Sequence, residues 1–78
     1  MFEELYEANT ANVTVKNGLA ISYSNLGVFS RDQRSDVTEA RRWFEKAEAL
    51  WAELVNDAPA YAEFQNNLEW VKDALAAL

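Results

Sequence analysis

Apolar residues recur along 36–57 as Ala40, Phe44, Ala47, Trp51 and Leu54, the three-and-four spacing that lines one face of an α-helix. Trp43, Leu50 and Val55 widen that stripe towards a second face. A helix apolar on two sides is predicted to lie between neighbours rather than on one surface. Asp36 with Glu39 three positions on forms a capping-box-like start, and Asn56-Asp57-Ala58-Pro59 ends the segment because proline cannot continue a helix. From 60 to 77 the pattern is helical again, with Phe64, Leu68, Val71, Leu75 and Leu78 on one face and Tyr61 and Trp70 beside it. Ala, Glu, Gln, Leu and Lys, all good helix formers, dominate this stretch.

The region 11–30 has two readings. Val13-Thr14-Val15-Lys16, Asn17-Gly18 and Leu19-Ala20-Ile21-Ser22-Tyr23 resemble two strands around a tight turn. The same residues also place Val15, Leu19, Ser22, Tyr23, Leu26 and Phe29 on one face of a long helix, in which Gly18 and Gly27 would each cost about 1 kcal/mol relative to alanine. Internal repetition decides between them. Sliding the chain until Phe2 lies on Trp51 also lays Leu5 on Leu54, Thr10 on Pro59, Val15 on Phe64, Leu19 on Leu68, Ile21 on Trp70 and Leu26 on Leu75. The second copy is helical, so the first is expected to be helical too. A rival shift that lays Asn25-Leu26 on Asn67-Leu68 puts Pro59 opposite Asn17 and misplaces the turn.

The expected fold is therefore all-α, a single domain over 1–78 built as an antiparallel helix-turn-helix stack. It comprises the end of a preceding helix (1–9), a turn near Asn9-Thr10, a first helix (11–30), a second (36–57) and a closing helix (60–77).

At this level the residues resemble a tetratricopeptide-type repeat of long period. Tyr23-Ser24-Asn25-Leu26-Gly27 is similar to the first-helix signature, an aromatic followed by Leu and Gly, and Ala40, Phe44 and Ala47 keep the second-helix spacing. Gly27 and Ala40 would let two helices approach closely while Tyr23 and Phe44 fill the space between them. The chain departs from the pattern by one extra residue between Gly27 and Ala40, by Ser30 where an aromatic is usual, and by a closing proline displaced to Pro59. The resemblance implies a protein–protein interaction scaffold, here the closing end of an array of the kind found in large bacterial proteins. Phe64 to Val71 would belong to its last helix. It also places the ligand-facing first-helix positions at Ser24, Asn25, Val28 and Asp32. The carboxylate clamp of some peptide-binding relatives is not implied, because Ile21 stands where its lysine would be.

Composition narrows the chemistry. The 78 residues include neither cysteine nor histidine, which removes disulfide scaffolds, zinc fingers, thiol nucleophiles, Ser-His-Asp arrangements and histidine metal sites. A net charge of −6 opposes phosphate neutralisation, so nucleic acid is not an expected partner. Arg31, Arg34, Arg41 and Arg42 cluster, but Asp32, Asp36 and Glu39 lie among them. The longest charge-free run, 17–30, is too short for a membrane span and contains Asn and Ser. Met1-Phe2-Glu3-Glu4 is the opposite of a basic signal-peptide start, so a cytoplasmic location is expected.

Asp32-Gln33-Arg34-Ser35-Asp36 lacks the glycine and closing Glu of a calcium loop. Glu45 with Glu48, and Glu53 with Asp57, read as solvated faces, and Gly18 and Gly27 lack the lysine of a phosphate loop. Trp43, Trp51 and Trp70 read mainly as core, with Trp70 the candidate for a sticky face. No catalytic residue, cofactor or metal is expected. The expected role is an interaction scaffold for a protein or peptide partner, with self-association through open helical faces as one way to complete it. The competing expectation is a small acidic helical regulator that masks a basic protein surface.

Overall fold

The computed structural model describes the side chains of residues 13–78 and three helices: α1 (Phe2–Asp32), α2 (Val37–Asp57) and α3 (Ala62–Ala76). They pack antiparallel in chain order, α1 on α2 and α2 on α3, so α2 is the middle layer of an all-α domain. A fourth, short helix at the N-terminus is not among these elements. The turn expected at Asn9-Thr10 is absent, because α1 runs unbroken through those positions and takes up the stretch expected as the end of a preceding helix.

The middle helix is built as its spacing predicts. Ala40, Phe44, Ala47, Trp51 and Leu54 are all buried, while Trp43, Leu50 and Val55 are half-buried on the flanks. The Asp36 carboxylate accepts a bond from the Glu39 amide at 3.0 Å, capping the first turn. Only half of the capping box forms. The Asp36 amide donates to the Ser30 carbonyl at 2.8 Å instead, and the Glu39 carboxylate reaches Arg34 at 3.3 Å. The connection turns at Ser35, whose φ of 52° lies in the left-handed region that favours glycine.

Asn17 and Gly18 lie inside α1, and no strand occurs among the described residues, so the hairpin reading fails. What holds a glycine-containing stretch in a helix is tertiary. Ala20, Ser24 and Gly27 are buried on one face, joined by Ser30 in the last turn of α1. The Trp51 indole N–H donates to the Asn17 carboxamide at 3.1 Å, tying the middle of α1 to the second half of α2. The α1 face that meets the core is thus made of small residues. The stripe Val15, Leu19, Leu26 and Phe29 lies on an adjoining, outward-turned face and is exposed.

After α2, the Ala58 amide bonds back to the Leu54 carbonyl at 2.8 Å and Pro59 sits exposed in the turn. α3 begins at Ala62, later than the expected residue 60, because Pro59 and Ala60 are taken up by the turn. It buries Phe64, Val71 and Ala74, with Leu68, Leu75 and Leu78 packed half-buried against the core. No helix among the described residues is long and apolar enough to cross a membrane.

Candidate functional site

The contact between α1 and α2 organises the residues read as the repeat signature. At Gly27 an added Cβ would stand 2.6 Å from Phe44 Cε1 and 2.7 Å from Cδ1, so the ring lies where a side chain on α1 would have been. Ala40 and Ala47, one turn to either side of Phe44, are fully buried and keep α2 close. Tyr23 stacks on Trp43 with ring centroids 5.6 Å apart, and the Lys46 ammonium lies over both rings at 5.6 and 5.3 Å. These two aromatics seal the edge of the contact rather than its centre. Leu26 faces outward.

The four ligand-facing candidates share one side of α1 by their spacing but differ in exposure. Ser24 is buried towards α2, with its hydroxyl donating to the Ile21 carbonyl at 2.8 Å. Val28 packs half-buried against the core, and Asn25 is exposed. Asp32 is exposed and receives both Nε and Nη2 of Arg31, at 2.8 and 3.2 Å. That hydrogen bond, reinforced by the guanidinium charge, lowers the Asp32 pKa below its ordinary value and raises that of Arg31.

Arg31 pairs with Asp32 and also lies 5.9 Å over the Phe44 ring, while Arg34 pairs with Glu39, so half of the basic cluster is neutralised locally. Asp36 caps a helix. Among the described residues no group of acidic side chains could hold a metal ion, and no buried side-chain polar atom lacks a hydrogen-bond partner. A shallow depression of about 280 Å³ at the start of α2 is lined by Asp36, Thr38, Glu39 and Arg42, and two of these four are already engaged. Trp51 is core, Trp43 is half-buried, and Trp70 is 46% exposed with its ring edge-on to Phe44 at 5.9 Å.

What remains distinctive is the outward face of α1. Val15, Leu19, Leu26 and Phe29 form an apolar stripe with Ser22 at its middle, and Asn17 to Ser30 contains no charged residue. The sequence carried this signal in two parts: the apolar spacing, and the small residues Ala20, Ser24 and Gly27 offset from it. The small set faces α2, which turns the large set to solvent.

Comparison with protein-family models, with curated proteins and with solved structures returned no match.

Proposed function

We propose that this chain is a protein–protein interaction module without catalytic chemistry, the closing end of a stack resembling tetratricopeptide repeats. One observation carries the reading: α1 spends its small residues on α2 and turns its large apolar residues, Val15, Leu19, Leu26 and Phe29, to solvent. Large exposed apolar stripes mark contact surfaces. The layering supports the same reading, because α2 is covered on both sides while α1 is covered on one, as expected where another helix is to be added. A cytoplasmic location and a protein or peptide partner belong to this proposal, and nucleic acid does not.

The test uses a synthetic peptide copying Val37–Asp57 as the probe helix, with the methyl signals of Leu19 and Leu26 followed by NMR. Saturable shifts that persist from about 50 mM to about 0.5 M salt support an apolar docking face. Unchanged methyl signals overturn it. The acidic-regulator reading rests on the charge of −6 and predicts binding to polylysine that weakens steeply over the same salt range, with Leu19 and Leu26 unmoved.

A further inference from the structure

The outward stripe of α1 has an internal symmetry that the scaffold reading does not use. Val15, Leu19, Ser22, Leu26 and Phe29 follow one another in alternating steps of four and three residues, and Ser22, an exposed and small side chain, stands at the middle. Reversing the direction of the helix about Ser22 maps Val15 onto Phe29 and brings Leu19 to within one residue, about 1.5 Å of rise, of Leu26. Two antiparallel copies of this face, related by a two-fold axis at Ser22, therefore bring Leu against Leu on each side of the axis. At the ends they bring the smaller Val15 against the larger Phe29. Helices approach to ~8 Å only where the side chains at the crossing are small, and Gly18 and Ser22 supply that here. Gly18 has nothing within 4 Å of where its Cβ would be, so this surface is open.

We propose that this face of α1 docks a second copy of the same chain, as an antiparallel two-fold pair of α1 helices crossing at Ser22. The pairing deepens the interaction-module reading by naming the partner. Charge favours it over other arrangements of two copies. Each copy carries −6, so contacts through most of the surface bring like charges together. Asn17 to Ser30 is the longest charge-free run in the chain, and it includes four of the five stripe residues. The area is consistent with reversible association. Val15 is 62% exposed, Phe29 52%, and Leu19 and Leu26 42% each. With Gly18, Ser22 and Asn25 between them, two such faces cover on the order of 1,000 Å² in total, near the lower limit for specific interfaces. Weak, reversible association, on the order of 10–100 µM, is the expectation for an interface at that lower limit. The apolar stripe residues each stay at least 42% exposed with α2 in place, so α2 leaves them accessible to the second copy.

Sedimentation equilibrium of the 78-residue chain at concentrations spanning that range tests the pairing. The wild type should pass from monomer to dimer, and more readily at high salt, because screening relieves the repulsion between two acidic chains. The variants Leu19→Glu and Leu26→Glu place a charge on an exposed position, so their helical circular dichroism should match wild type while the dimer is lost. Because the chain has no cysteine, Ser22→Cys reports the axis directly. It should form a disulfide-linked dimer under mild oxidation much faster than a control Glu53→Cys on α2, since only residues with Cα atoms within ~7 Å can be bridged. Val15→Cys and Phe29→Cys should cross-link when mixed but not alone. A chain that stays monomeric through this range overturns the proposal and leaves the face to a different protein. So does a dimer that survives Leu26→Glu, or a Ser22→Cys that links no faster than the control. A chain that stays monomeric can still bind the Val37–Asp57 peptide through Leu19 and Leu26, so the pairing can fail while the docking face stands.

Discussion

The Phe44 ring occupies the position that a side chain at residue 27 would take, with Cε1 only 2.6 Å from the point where a Cβ on Gly27 would stand. Phe44 is fully buried, between Ala40 and Ala47 on its own helix, and cannot swing away without disturbing the core. Gly27 is thus the cost α1 bears, in helix propensity, for letting an aromatic from α2 fill the centre of the contact.

Gly18 sits on the same helix in open space, so the two glycines form an internal control. Gly18→Ala should raise stability by up to about 1 kcal/mol through helix propensity and a restricted unfolded chain. Gly27→Ala gains the same local preference yet should lower stability by about 1–3 kcal/mol, because the methyl overpacks against the ring. Urea denaturation followed by circular dichroism reads both. Combining Gly27→Ala with Phe44→Leu should cost less than the two single changes added together, a coupling expected only of residues in contact.

A second tie joins the middle of α1 to the second half of α2. Trp51 is buried with only its indole N–H directed to a polar partner, the Asn17 carboxamide at 3.1 Å. Asn17→Ala should cost about 1–2 kcal/mol, since it leaves a donor without its acceptor in a partly buried site. Trp51→Phe removes the donor and some packing together. Adding Asn17→Ala to Trp51→Phe should then change little, and a fully additive pair in a double-mutant cycle would show that the bond does not form in solution.

The connection between α1 and α2 predicts opposite signs at adjacent residues. Ser35 holds φ at 52°, a left-handed conformation that costs an ordinary residue roughly 1–2 kcal/mol. Ser35→Gly should therefore stabilise by up to about 1 kcal/mol after the added freedom of the unfolded chain is counted. Asp36→Ala removes the cap on the Glu39 amide and should destabilise by about 1 kcal/mol. Thermal melts of the two single variants should shift in opposite directions.

The elements were legible in the sequence to different depths. α2 was readable to its buried residues, because a helix covered on two sides needs Ala40, Phe44, Ala47, Trp51 and Leu54 inside and repeats them at helical spacing. In α1 the helix was legible only through the repetition that aligned it with α3. Its orientation was not legible from hydrophobicity, since the usual rule places the larger apolar face inside and here Ala20, Ser24 and Gly27 take that place. The repetition itself does not extend to burial: Val15 is exposed where its counterpart Phe64 is core. Ser24 illustrates why the candidate site resisted reading, because its side-chain hydroxyl is satisfied one turn back by the Ile21 carbonyl and so can lie inside without penalty. Asn17 could not be assigned at all from the chain, because its partner Trp51 is far away in sequence.

Acid should act through Asp32. Its pKa is lowered in the folded chain, first by the hydrogen bond from Arg31 and then by that residue's charge, so the unfolded state binds a proton more readily. A carboxylate depressed in this way adds stability at pH values above its unfolded value of ~3.9, and that contribution is lost as pH falls through the folded value. The sign is therefore a loss on acidification, beginning below about pH 4–5. Asp32→Asn removes the titration and should leave a smaller drop in stability between neutral pH and about pH 3 than wild type shows. The effect at neutral pH should be slight. The pair is solvent-exposed, and the substitution also removes a negative charge from the C-terminal turn of α1, where the helix dipole disfavours it. Urea midpoints measured at several pH values compare the two curves. Parallel curves would show that the Arg31–Asp32 pair is not held in solution, whereas convergence at low pH would confirm that it is.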